Sequence, residues 1–157
     1  MNAQQWETLV AVIRGERVRP VPTGFIIDSP WLPNWAGHTI LDYYTQEQAF
    51  LEDNLKAINA FPRTMFLPGF WAEFGMCTEP SAFGALTMWG EDEFPFAGKV
   101  LHSPSDVEHL KKPDPRKHGL LPFVIKRLKH LQPRIRDAGH DIRFATTRGP
   151  FNIASFL

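Results

Sequence analysis

Residues 45–69 read TQEQAFLEDNLKAINAFPRTMFLPG, and the order of signals in this stretch decides the fold class. Thr45 and Gln48 have the spacing of a capping box, Leu51, Leu55 and Ile58 recur on one helical face, and Phe61-Pro62 closes the helix at about Ala60. Thr64-Met65-Phe66-Leu67 then reads as a buried strand, cut by Pro68-Gly69. A helix that runs at once into a buried strand is a unit of a mostly parallel sheet.

The same alternation continues on both sides. Upstream, Trp6, Leu9, Val10 and Ile13 fall at i, i+3, i+4 and i+7, which predicts a helix over 3–14 with one buried stripe, started by Asn2 and stopped by Gly15. Pro20-Val21-Pro22 forces an extended path into Gly24-Phe25-Ile26-Ile27, a second buried strand that Asp28 ends. Ser29 to Trp35 holds two prolines and two tryptophans and reads as a shaped loop. Downstream, residues 70–98 sustain neither period and read as loop with short strand pieces. Ser105 and Glu108 suggest a capped short helix to about Leu110. Leu121, Ile125, Leu128 and Leu131 line a long helix kinked at Pro133 and closed by Gly139. Ile142-Arg143-Phe144-Ala145-Thr146 reads as a third strand, and Gly149-Pro150 opens a last helix. The class is α/β.

The chain of 157 residues, with 43% hydrophobic content, is long enough for one packed domain. Its 17 basic and 17 acidic side chains cancel, which argues against nucleic acid as a partner. The balance is uneven along the chain: residues 1–95 hold 5 Lys+Arg against 12 Asp+Glu, and residues 96–157 hold 12 against 5, so the halves carry −7 and +7 and attract in a shared fold. The basic charges interleave with apolar residues at helical spacing and read as the wet face of a helix. Cys77 stands alone, which excludes an intrachain disulfide and points to a reducing cytoplasm. No signal peptide or membrane span is visible, the longest uncharged stretch being short and proline-rich.

Three fragments resemble a known family. Trp31-Leu32-Pro33-Asn34-Trp35 looks like Tyr-Leu-Pro-Glu-Tyr, Glu79-Pro80-Ser81-Ala82-Phe83-Gly84 is similar to Glu-Ala-Glu-Ala-Leu-Gly, and Phe144 to Ala154 resembles a strand followed by Gly-Pro-Phe-Thr-Leu-Ala. In this order they resemble the N-terminal part of the uroporphyrinogen decarboxylase family, which also contains corrinoid and coenzyme M methyltransferases. The resemblance implies a (β/α)8 barrel lyase of porphyrin biosynthesis about twice this long. Residues 1–157 would be its first, truncated portion, with 1–19 as an N-terminal helical extension, holding part of a site and inactive alone. It also implies a tetrapyrrole or corrinoid small molecule as ligand; separately, three strands with exposed parallel edges point to a homodimer or partner chain over the open sheet edge. Family decarboxylases carry arginines just ahead of Tyr-Leu-Pro-Glu-Tyr, where guanidinium forks would hold substrate carboxylates. Here no Lys or Arg lies between Arg19 and Lys56, and Ile26 and Pro30 fill the matching positions. The alternatives are therefore corrinoid-dependent methyl transfer and a non-catalytic module.

Candidate site residues follow from placement. Asp28 and Glu79 are the candidate catalytic acids, the first at a strand end and the second on the family motif; Glu73 shares the aromatic setting of Glu79. Trp31 and Trp35 offer flat faces to a macrocycle, His38 a proton or an axial ligand, and Arg148 a cation for a substrate anion or for an acid of the first half. No metal ligand set is readable in this segment; zinc or a corrinoid belongs to the full-length methyltransferase alternative, and Cys77 alone makes no zinc site.

Overall fold

The computed structural model describes residues 1–27 and 29–157; the candidate acid Asp28 lies outside the described residues. Helix α1 spans Ala3–Ile13 and begins with a full capping box, Asn2 Oδ1 accepting from Gln5 N (2.8 Å) and Gln5 Oε1 from Asn2 N (3.1 Å). Its apolar stripe is only half-buried, and Ile13 at the far end is exposed, because little of the chain lies over that end. Gln5 Nε2 ties the helix to the Thr64 carbonyl (3.3 Å).

Strand β1, Thr23–Ile26, pairs in parallel with strand β2, Thr64–Leu67, in the register Thr23 to Thr64 through Ile26 to Leu67. Both strands are where the apolar runs place them, but β1 is not buried as expected. Phe25 and Ile26 are 58% and 69% exposed: neighbours on a strand point to opposite faces, so both faces of β1 are only partly covered by the described residues. The crossover between the strands is helical: α2 (Leu32–Ala36), α3 (Ile40–Thr45) and α4 (Glu47–Ala60). The Pro-rich stretch expected to be a loop thus contains α2, which tolerates Pro33 because its first turn needs no donor there, and which ends at Gly37 with φ +108°. Thr45 does not cap α4, because it is already the last residue of α3; the working box is Thr39 with Asp42, one element earlier.

Beyond β2 come a 3-10 turn at Pro80–Phe83, the antiparallel pair β3 (Thr87–Met88) and β4 (Phe96–Ala97), a 3-10 turn at Pro104–His109, helix α5 (Leu121–Asp137) and helix α6 (Pro150–Phe156). The cap of the second turn is Ser103 with Asp106 rather than Ser105 with Glu108, because Pro104 occupies the first position and fixes the frame. Pro133 is accommodated inside α5 on its exposed side. Residues 142–146, expected as a third strand, form no ladder among the described residues; Phe144 packs its ring against Trp6 instead (6.3 Å).

The core lies between the crossover helices and α5. Tyr43, Tyr44, Phe50 and Leu51 meet Leu131 and Ile135, with Phe66, Phe70 and Phe74 beneath. One basic residue of α5 departs from the wet-face expectation: Arg127 is buried in this core, 5% exposed, between the rings of Phe50 and Phe74. No helix among the described residues is long and apolar enough to cross a membrane.

Candidate functional site

Gly69 and Phe70 both adopt positive φ, +73° and +55°, and turn the chain sharply after β2. The turn holds Phe70 because its ring is buried in the core, which outweighs the strain of a non-glycine residue there. Residues 74–78 then close on themselves: Thr78 Oγ1 accepts from Phe74 N and donates to the Gly75 carbonyl, both at 2.8 Å. This compact knot points Glu73 and Glu79 toward one place, and the segment before α6 brings Thr147 and Arg148 to meet them.

The resulting cluster is dense. Thr147 Oγ1 and Arg148 N donate to Glu79 Oε1 at 2.7 and 2.9 Å, Arg148 Nη1 donates to Glu79 Oε2 at 3.0 Å, and Nη2 donates to Glu73 Oε2 at 2.9 Å. The side chains of Arg148, Glu73 and Glu79 are 11%, 4% and 9% exposed. Burial pushes Glu79 up, but the Arg148 N–H, the Thr147 hydroxyl and the Arg148 guanidinium together outweigh it and hold the carboxyl below the ordinary glutamate range. The two acids in turn hold Arg148 firmly charged against the burial that opposes it. Glu79 is therefore a fixed anion at neutral pH, suited to anchoring donors rather than releasing a proton. A group whose pKa falls on folding supplies stability above its unfolded value and loses it as the pH drops through the folded one. Stability is accordingly expected to decline below the ordinary glutamate range, and Glu79→Gln should flatten that part of an acid titration followed by thermal unfolding.

Arg148 and Glu79, read separately from the sequence, are thus brought together, and the two quoted fragments that contain them meet at this cluster. Trp31 and Trp35 stack on each other, ring centroids 5.1 Å apart and planes at 22°, with Lys56 Nζ 5.4 Å from the Trp35 ring. Trp31 borders a cavity of about 480 Å³ whose other walls include Phe25, Ile26, Phe61 and Phe66, and neither Glu79 nor Arg148 lines it. His38 is held by Asp53, Nδ1 to Oδ1 at 2.7 Å, with Asp53 buried on the inner face of α4. Burial raises the Asp53 carboxyl despite the His38 hydrogen bond, and its Oδ2 has no hydrogen-bond partner among the described residues. A carboxylate on one ring nitrogen fixes the imidazole so that the other nitrogen is available to a ligand.

Sequence reasoning did not single out Asp53 or Thr147. Asp53 was detectable: it shares a helical face with Phe50 and Ala57, where a charge at a buried position marks a partner. Thr147 carries no such signal. Cys77 does not fit a zinc ligand, since it is buried, donates to the Phe74 carbonyl (2.9 Å) and has its thiol pushed up by burial. No group of three or more His, Cys, Asp or Glu among the described residues is arranged to hold a metal ion.

No curated protein and no solved structure matches the chain. A family model described as Uroporphyrinogen decarboxylase (URO-D) does, over residues 4–157. That span takes in both crossover strands, the stacked tryptophans and the whole Glu73–Arg148–Glu79 cluster, so the chain belongs to the uroporphyrinogen decarboxylase family.

Proposed function

We propose that the chain binds a tetrapyrrole-type macrocycle on the face formed by Trp31, Trp35 and the apolar cavity at the ends of β1 and β2, as part of a decarboxylase-type site. The observation that carries this reading is Trp31, which lines that cavity and is backed by the stacked ring of Trp35. A flat, largely apolar ring gains most from an apolar wall with aromatic faces, and Trp31, Phe25 and Ile26 leave such a wall partly uncovered. Asp28 closely follows β1 in sequence and is the acid this reading assigns to chemistry, whereas Glu79, held as an anion by Arg148 and away from the cavity wall, serves as a positioning residue.

Corrinoid-linked methyl transfer is the second reading. It is favoured by the lack of any Lys or Arg between Arg19 and Lys56, which leaves a carboxylate-rich substrate without guanidinium partners at the strand end, and by the Asp53-held imidazole of His38. Titration of the chain with uroporphyrin and with cobalamin, followed in the Soret region, separates the two. A saturable shift is expected with one ligand, and Trp31→Ala should weaken it about tenfold, the loss of one aromatic wall. No spectral change with either ligand at high micromolar concentration would overturn both readings.

A further inference from the structure

A second cavity, of about 400 Å³, opens between α3, α5 and the loop carrying Trp89, well apart in lining from the tryptophan face. Its walls are aromatic: Trp89 meets Tyr44 and Phe74 edge-on at 5.9 and 6.2 Å, and Phe123 meets Phe74 at 6.5 Å. Its base is Arg127. The Arg127 Nη2 donates to the Tyr44 carbonyl, and the guanidinium lies 5.0 and 4.9 Å from the rings of Phe50 and Phe74. Those rings share its charge, while Nη1 is buried without a hydrogen-bond partner among the described residues. Among the described residues no carboxylate lies within ion-pairing distance of Arg127. Glu47, at the cavity rim, is held by His130 at 3.2 Å, and Lys126 adds a second positive charge beside Phe123.

A buried cation with an unpaired donor and aromatic walls, whose nearest carboxylate, Glu47 at the rim, acts on it only through space, is complementary to a flat anion. We propose that this cavity binds a small planar aromatic carboxylate, its carboxylate meeting Arg127 Nη1 and its ring lying against Trp89 and Phe123. Nη1 has no exposed surface in this conformation, so the proposal requires the cavity wall to rearrange around Arg127, and Phe123, 55% exposed, is the wall residue whose removal the test uses.

The test is a titration of the full chain with benzoate and, in parallel, with benzamide, followed by the indole N–H signal of Trp89, which Trp89→Phe assigns by its loss. Benzoate is expected to shift that signal saturably, and benzamide, of the same shape but without charge, to bind about tenfold more weakly or worse. Arg127→Met should abolish the difference between the two probes. Because that variant alters a buried site, Phe123→Ala provides a second check at an exposed position and should weaken benzoate about tenfold while leaving the melting temperature nearly unchanged. Equal binding of benzoate and benzamide overturns the charge recognition. A Trp89 signal that does not move at millimolar benzoate, or unchanged affinity in Phe123→Ala, overturns the site.

Discussion

Arg148→Met is expected to lower the unfolding free energy by about 3–5 kcal/mol, the cost of removing one partner from a buried ion pair. The reason is the geometry around it. The guanidinium fork serves Glu79 with one nitrogen and Glu73 with the other, and both carboxylates are almost sealed from water. Without the cation, two buried anions face one another, and one must take up a proton or drag water into the knot at 74–78. Arg148→Lys should recover part of the loss, because a single ammonium cannot reproduce two separated N–H contacts. Combining Arg148→Met with Glu79→Gln should cost less than the sum of the single changes, a signature of direct coupling. Urea unfolding of the parent chain, Arg148→Met, Arg148→Lys, Glu79→Gln and the double variant measures all of this. A loss below about 1 kcal/mol in Arg148→Met would show that the cluster is effectively solvated.

Leu131→Ala is expected to cost about 2–5 kcal/mol, the range for a leucine deleted from a packed core. Leu131 is fully buried on α5, in the cluster that joins this helix to Tyr43, Phe50 and Leu51 of the crossover helices. Its neighbours come from separate elements, each fixed by its own backbone hydrogen bonds, so the space cannot collapse by moving one of them. Ile135→Val, one turn on and equally buried, removes a single methyl and should cost about 0.5–1.5 kcal/mol. The urea midpoint is expected to fall in both while the slope stays constant, since neither change alters the surface exposed on unfolding.

The parts of the fold set by local chemistry were legible. The helix over Ala3–Ile13, the strand Thr64–Leu67, the helix Leu121–Asp137 closed before Gly139 and the helix opened by Pro150 all follow from caps, periodicity and proline placement. What was not legible depends on partners distant in sequence. Residues 142–146 have strand composition, but a strand exists only where a neighbour offers a ladder, and Phe144 found Trp6 instead. Phe25 and Ile26 are apolar in an apolar run, yet their exposure depends on what packs over β1. Arg127 reads as one more basic residue of a wet face, and only the approach of Phe50 and Phe74 makes it part of the core. For the candidate site, Glu79 and Arg148 were each recognisable, and the alternative that Arg148 meets an acid of the first half is the one the cluster displays. Their shared contact with Glu73 is a product of the turn at Phe70, which no local pattern announces.

The Glu73–Arg148–Glu79 cluster joins positions 69 and 75 residues apart. A contact of that span forms only after a long loop has closed, and so belongs to the late side of the folding barrier. Interactions absent from the transition state govern how fast the native state is left rather than how fast it is reached. The cluster is thus expected to act as a brake on unfolding, lengthening the lifetime of the folded chain more than it speeds folding.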